Sequence, residues 1–445
     1  MSSQSKQQVD TLIHAGWIVP VIPHGQVFRN YSIALQDGRI SALMPSSAAA
    51  DVTASEVVEL PNHVIAPGLI NCHGHAAMTL LRGYADDLPL IPWLEEHMWP
   101  AEGQFVNEAF IEDGTAIAVA EMIRAGTTTY SDMYFFPEIA SAAAQRIGMR
   151  CQITFPIFDF PTAWGSGPDE YIRKGLALRD TCKHNDLVHV VFGPHAPYTV
   201  SPEHLRKVAT LAAELDTAIH IHLHETQGEV QRAIAEHGQR PIASLHDMGL
   251  LGPRTQCVHM TDLIEEDIAL LAETGSHVIH CPQSNMKLAS GICPIRDLQL
   301  AGVNVALGTD SAASNNDLNL FGEMQTAALL AKVHSMDATV LPAADALAMA
   351  TINGAIAMGL QDQLGSLEVG KQGDLIAVDL SAPETQPLYH PLSQLVYSCN
   401  GSQVTHSWVA GQAIMTERQL VHADTDRLVA SAQDWQRRIA AGAAK

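Results

Sequence analysis

Apolar and polar positions fall into three regimes along the chain. In the first 60 or so residues, the short alternating stretches Thr11 to Ile13, Trp17 to Ile22 and Tyr31 to Leu35 are broken by Gly25 and Asp37-Gly38. That is the pattern of a small all-β unit. From Ile65 to about Met358, amphipathic helical stretches alternate with short apolar runs. Phe110 to Ala125 precedes Thr127 to Tyr130, Ala140 to Ile147 precedes Arg150 to Phe155, and Pro202 to Leu215 precedes Ala218 to Leu223. Glu229 to His237 is followed by Thr255 to His259, Glu265 to Glu273 by His277 to His280, and Ile295 to Ala301 by Val305 to Leu307. Roughly eight strand–helix units of this kind predict a (β/α)8 barrel. Gly365-Ser366-Leu367 and Gly373 to Val378 then return to short strands and turns. The simplest assembly joins residues 1–64 and 365–445 into a discontinuous β-sandwich domain beside a catalytic barrel of residues 65–364. The chain closes in an Ala-rich tail.

Bulk properties narrow the partners. With 25 basic and 48 acidic residues the formal charge is −23, and no Lys/Arg-rich run is present. Nucleic acid and anionic membrane both demand a basic footprint, so neither is expected as a partner. The acidity reads as solubility. The seven cysteines are scattered and form no CxxC pair, which reads as reduced buried thiols of a cytoplasmic protein. Met1-Ser2-Ser3-Gln4-Ser5-Lys6 is polar, so no signal peptide is expected. No apolar stretch reaches the roughly 18–20 residues of a membrane helix.

The candidate chemistry sits at the polar ends of apolar strands. His73 and His75 follow the run Val64 to Ile70, and positions i and i+2 of an extended chain point the same way. His222 with Glu225, then His259, then Asp310 occupy equivalent places farther on. A barrel gathers the C-terminal ends of its strands at one face. Three of these four histidines with the aspartate would make an N/O site suited to zinc or iron(II). In Ala218-Ile219-His220-Ile221-His222-Leu223-His224-Glu225, strict alternation puts His220, His222 and His224 on one face, so periodicity alone does not select the ligand. His220, the deepest, reads as a core histidine. Glu225 could shuttle protons or start a helix. Asp310 could ligate a metal and take a proton from water, or cap a helix.

Pro67-Gly68-Leu69-Ile70-Asn71-Cys72-His73-Gly74-His75 resembles the opening of an amidohydrolase-superfamily barrel, and Gly308-Thr309-Asp310-Ser311 and Gly365 to Leu375 resemble its later hallmarks. Within that superfamily the chain is most similar to the 5-methylthioadenosine/S-adenosylhomocysteine deaminases, a branch shared with triazine chlorohydrolase-like enzymes. The resemblance implies one divalent ion per chain, Zn2+ first and Fe2+ or Mn2+ as alternatives, on His73, His75, His222 and Asp310. Its H-x-x-E pattern selects His222, with Glu225 as acid/base and His259 and Asp310 helping to activate water. It places Trp93, Glu102 and His195 against the nucleoside, Glu102 on the ribose hydroxyls, and Arg150 against the carboxylate of S-adenosylhomocysteine or in a purely structural role, with Ser284 to Leu288 as scaffold. It also implies a homodimer or homotetramer. Dinuclear relatives bridge two ions with a carboxylated lysine. Here Lys174, Lys183 and Lys207, the only lysines between His75 and His222, lie in polar contexts, so a mononuclear site is expected.

The expected activity is deamination of 5′-methylthioadenosine, with S-adenosylhomocysteine or adenosine beside it. The loop Phe155 to Asp169 carries no arginine for an amino-acid tail, which tilts the expectation toward methylthioadenosine or adenosine. The nearest alternative is another aminohydrolase or chlorohydrolase acting on guanine, a cytosine-like ring or a triazine. Hydrolysis of a cyclic amide and a catalytically silent barrel are more distant ones.

Overall fold

The computed structural model describes residues 7–443; Met1 to Lys6, the segment read for a signal peptide, lie outside the described residues. The chain enters through β1 (Gln7–Ile18), β2 (Phe28–Gln36), β3 (Arg39–Pro45) and the long β4 (Val52–Pro67). The barrel follows as β5 (Leu69–Asn71), β6 (Thr127–Asp132), β7 (Arg150–Ile157), β8 (Val188–Pro194), β9 (Ile219–Leu223), β10 (Thr255–His259), β11 (His277–His280) and β12 (Val305–Leu307). β13 (Leu375–Asp379), β14 (Val404–Val409), β15 (Gln412–Thr416) and β16 (Gln419–Leu420) complete the strands.

Strands β5 to β12 pair in sequence order, each parallel to the next. Cys72 N, just beyond β5, donates to Leu307 O of β12 at 2.9 Å and ties the two edges together. Strands covered by helices on one face and by the barrel interior on the other read as unbroken apolar runs, which is why β9 and β10 are buried throughout. Helix Pro168–Cys182 and strand β8 form a further unit that the patterns above leave out.

The terminal strands form one continuous eight-stranded mixed sheet, in the order β16-β15-β14-β13-β4-β1-β2-β3. Both chain ends meet where β13 pairs antiparallel with β4, Leu375 opposite Pro67. Ile13, Ile33, Ile40, Ile65, Leu375 and Trp408 share a core of their own, and the Gly38 turn touches Ala410 beyond β14. The sheet therefore curls so that its two halves face each other.

Pro67-Gly68 carries the chain from this sheet into the barrel. A Cβ on Gly68 would lie 1.9 Å from Thr128 Oγ1, so only glycine passes there. The Ala-rich tail is an amphipathic helix, Thr425–Ala443. It docks on helix Glu108–Arg124, where Trp435 meets Phe110 edge-on and its Nε1 donates to Asp113 Oδ2 at 2.8 Å. The cysteines are all free and buried. Among the described residues, no helix is long and apolar enough to cross a membrane.

Candidate metal centre and active site

His73 and His75 leave the end of β5, His222 lies in β9, His259 ends β10 and Asp310 follows β12. Their polar atoms converge at the C-terminal mouth of the barrel. His73 Nε2 lies 3.2 Å from His222 Nε2 and 3.4 Å from Asp310 Oδ1, and His75 Nε2 lies 3.3 Å from the same oxygen. Tetrahedral bonds of about 2.0–2.1 Å from zinc to nitrogen or oxygen put donors about 3.3 Å apart. The spacing fits.

Proton placement fits as well. His75 Nδ1 is 2.6 Å from Met133 O and His222 Nδ1 is 2.8 Å from His195 O. Carbonyl oxygens only accept, so both rings carry hydrogen on Nδ1 and turn Nε2 inward. Nitrogen lone pairs then face a carboxylate and one another, an arrangement that calls for a cation. Burial works against charge on His75, but the Asp310 carboxylate outweighs it and lifts the pKa to about 9, so the space between the two favours a positive charge, a proton when no ion is bound. Among the described residues, the His/Cys/Asp/Glu groups close enough to share an ion both include His73. Lys174 and Lys207 are engaged elsewhere, with Trp164 O and Asp169.

Backbone strain marks the same places. His259 and Asp310 are non-glycine residues at φ 78° and 61°, a left-handed conformation that costs energy and collects at functional sites. Gly308 lets the end of β12 press against His73, since a Cβ there would lie 2.8 Å from His73 Cβ. Asp310 Oδ2 accepts from Ser284 Oγ at 2.6 Å and Ser314 Oγ at 3.1 Å, which turns Oδ1 toward the imidazoles.

Glu225 stands beside this group, its Oε1 3.8 Å from His259 Nε2. Burial raises its pKa above the ordinary carboxylate range, while His259 pulls it back. His259 Nδ1 is held 2.9 Å from Asn285 Oδ1. Glu229 fixes the turn that carries Glu225, accepting from the backbone N–H of His224 and Glu225 at 3.2 and 2.8 Å.

A cleft opens over these residues, lined among others by Trp93, Glu102, Tyr134 and His195. Trp93 and Glu102 come from the long connection after β5, which folds into consecutive helical turns from Leu90 to Phe105. Trp93 is buried, and among the described residues its Nε1 has no hydrogen-bond partner. Glu102 is pushed up to about 7 by burial, against a 2.7 Å hydrogen bond donated by Tyr134 Oη. His195 packs on Phe158 at 4.7 Å between ring centroids.

Arg150 is not in this site. It opens β7 at the opposite, N-terminal end of the barrel. Nε and Nη2 donate to Asp374 at 3.0 and 3.1 Å, and Nη1 donates to Asp186 O. The guanidinium is occupied, and the expectation of a substrate contact is corrected. Tyr134, Ser284 and Ser314 join the site although sequence reasoning gave none of them a contact with its carboxylates. Tyr134 follows the end of β6, the same signal that singled out the others.

The amidohydrolase family profile matches residues 64–414. A 5-methylthioadenosine/S-adenosylhomocysteine deaminase of Teredinibacter turnerae is 52% identical over 97% of this chain and 98% of its own. The chain belongs to the amidohydrolase family, among these deaminases. A solved adenosine deaminase from Xanthomonas campestris with bound zinc is 47% identical, superposes with a TM-score of 0.97, and covers 98% of this chain and 99% of that one. Atrazine chlorohydrolase from Arthrobacter aurescens, 23% identical, shares the family's fold at a TM-score of 0.89 over 96% of this chain and 99% of its own.

Proposed function

We propose that this chain is a zinc-dependent hydrolytic deaminase of 5′-substituted adenosines, converting 5′-methylthioadenosine, and with it S-adenosylhomocysteine or adenosine, to the inosine analogue and ammonia. The observation that carries this reading is one cleft that brings together a cation-demanding His/His/His/Asp group, the buried acid Glu225 and a second buried carboxylate, Glu102. His73, His75, His222 and Asp310 would hold the ion. When bound, it supplies Lewis acidity that makes water nucleophilic near neutral pH.

The side chains do the rest. Asp310, with His259 beside it, takes a proton from the attacking water as its oxygen bonds to C6 of the adenine ring. Glu225, its pKa raised by burial, gives a proton to N1, so the ring electrons have a place to go. The proton held by Asp310 passes to the amino nitrogen, the C6–N bond breaks and ammonia leaves. Glu225, left ionised by its first transfer, takes the proton of the new C6 hydroxyl, leaving the oxo product with hydrogen on N1. Glu102 offers its carboxylate to both ribose hydroxyls. Trp93 and His195 pack on the nucleoside, and the unpartnered Trp93 Nε1 can donate to it.

The same reading takes residues 65–364 as the catalytic unit and 1–64 with 365–445 as its scaffold. It has the chain work in the cytoplasm as a homodimer or homotetramer. The test is ammonia release, with the ultraviolet shift from adenine to hypoxanthine, across methylthioadenosine, S-adenosylhomocysteine, adenosine, guanine and a triazine. Turnover of the nucleosides is expected; activity confined to a free base or a triazine would overturn the substrate assignment.

A further inference from the structure

Three imidazoles surround the candidate ion, but only two of them have a backbone carbonyl behind them. His75 leans on Met133 O and His222 on His195 O. Behind His73 stands another side chain, His220, whose Nε2 lies 2.8 Å from His73 Nδ1. Two imidazole nitrogens can share one hydrogen in either direction, so this contact alone leaves the tautomer of His73 open.

The next residues close it. His220 Nδ1 lies 2.7 Å from Gln256 Oε1. Gln256 Nε2 donates to Ala357 O at 2.8 Å and to Gln152 Oε1 at 3.2 Å, while Gln152 Nε2 returns a bond to Gln256 Oε1 at 2.9 Å. Turning the Gln256 amide over would set its oxygen against a carbonyl oxygen, two acceptors face to face. The amide is therefore fixed with Oε1 toward His220, which must carry its hydrogen on Nδ1. His220 is fully buried, and among the described residues no carboxylate lies within ion-pair distance of it, so the ring is neutral and its Nε2 is a bare acceptor. His73 then donates from Nδ1, and its Nε2 lone pair is left for the ion.

We propose that His220 and Gln256 are positioning residues that lock His73 in its metal-binding tautomer, using Ala357 O as the distant carbonyl that His73 lacks nearby. The chain of bonds ends in amides and a backbone carbonyl, so it holds hydrogens in place and conducts none. It runs down the barrel interior and uses the deep histidine of β9 that no catalytic step needs.

The test requires no substrate. Zinc affinity is measured by chelator competition, and ligand geometry by the visible bands of the Co2+-loaded protein, in His220→Leu, His220→Gln and Gln256→Leu. Partners of this kind change metal affinity by about 10–100-fold. His220→Leu is expected to weaken zinc by that much and to shift the cobalt bands. Glutamine offers one acceptor and one donor, so His220→Gln should restore most of both; a role in packing alone predicts no such rescue. Wild-type affinity in folded His220→Leu, or a glutamine variant as weak as the leucine one, would overturn the proposal. Should His220→Leu not fold, Gln256→Leu decides, since wild-type zinc affinity there contradicts the lock. A His73→Ala variant that keeps its zinc would instead overturn the ligand assignment, which separates that failure from failure of the lock.

Discussion

The two ends of the barrel both bury charge, and they do opposite things with it. At the N-terminal end Arg150 and Asp374 form a two-pronged ion pair with both side chains nearly inaccessible, and Asp374 Oδ1 accepts a further hydrogen bond from Ala410 N at 2.7 Å. Each charge there has its partner, and the pair joins a barrel strand to the terminal sheet. At the C-terminal end, the inward nitrogens of three imidazoles crowd around one carboxylate, beside a buried acid and backbone held at positive φ. One end is satisfied by the fold. The other is organised for something the fold does not supply. Buried charge by itself does not mark a site; incomplete pairing at the strand ends does.

Substitutions at the two ends should separate stability from chemistry. Glu225→Gln is the largest expected effect: the zinc stays, and kcat falls by about 10²–10⁴-fold, the usual weight of a general acid/base group. Its stability should not fall. Burial lifts the pKa of Glu225, so in the wild type ionisation costs stability as pH rises above the ordinary carboxylate range, and a neutral amide escapes that cost. Near-normal turnover would remove Glu225 from the mechanism. Arg150→Met should do the reverse, since removing one partner of a buried pair costs about 3–5 kcal/mol. Denaturant titration would read that loss, while kcat and KM per folded, metal-loaded molecule stay at wild-type values. A specific rise in KM for S-adenosylhomocysteine alone would bring Arg150 back to the substrate.

A smaller effect is expected at Tyr134. Glu102 has a pKa of about 7, raised by burial and lowered by the Tyr134 hydrogen bond. Ribose hydroxyls donate to the carboxylate, so KM for nucleosides should fall as pH rises through that range. Tyr134→Phe removes the donor, moves the transition to higher pH and leaves kcat nearly unchanged. A pH profile of KM that does not move would detach Tyr134, and with it Glu102, from substrate binding.

Most of the barrel was legible because helical and strand periods alternate along it, and the strand-end rule then pointed to His73, His75, His222, His259 and Asp310. Alternation could not separate His220, His222 and His224, which share a face only while the strand continues. At His224 the backbone turns to φ 51°, and the side chain leaves the site to bond Asp262 O and Ile242 N. Arg150 shows the opposite error. The resemblance offered it a substrate carboxylate or a structural role, and its place as the first residue of its strand already assigns it to the structural end of a barrel. The curled terminal sheet was legible in parts only, because β4 and β13 pair across about 300 residues of chain and no local pattern encodes such a register. The Ala-rich tail looked compositionally plain, yet Trp435 and Ile439 give it an apolar face to dock.

The most direct measurement is a zinc titration of metal-depleted protein, following bound metal and ammonia release from methylthioadenosine together. Activity should rise in proportion to bound zinc and level off at about one ion per chain, as a single mononuclear tetrahedral site requires. Saturation at two ions of comparable affinity, or full turnover without metal, would contradict the account.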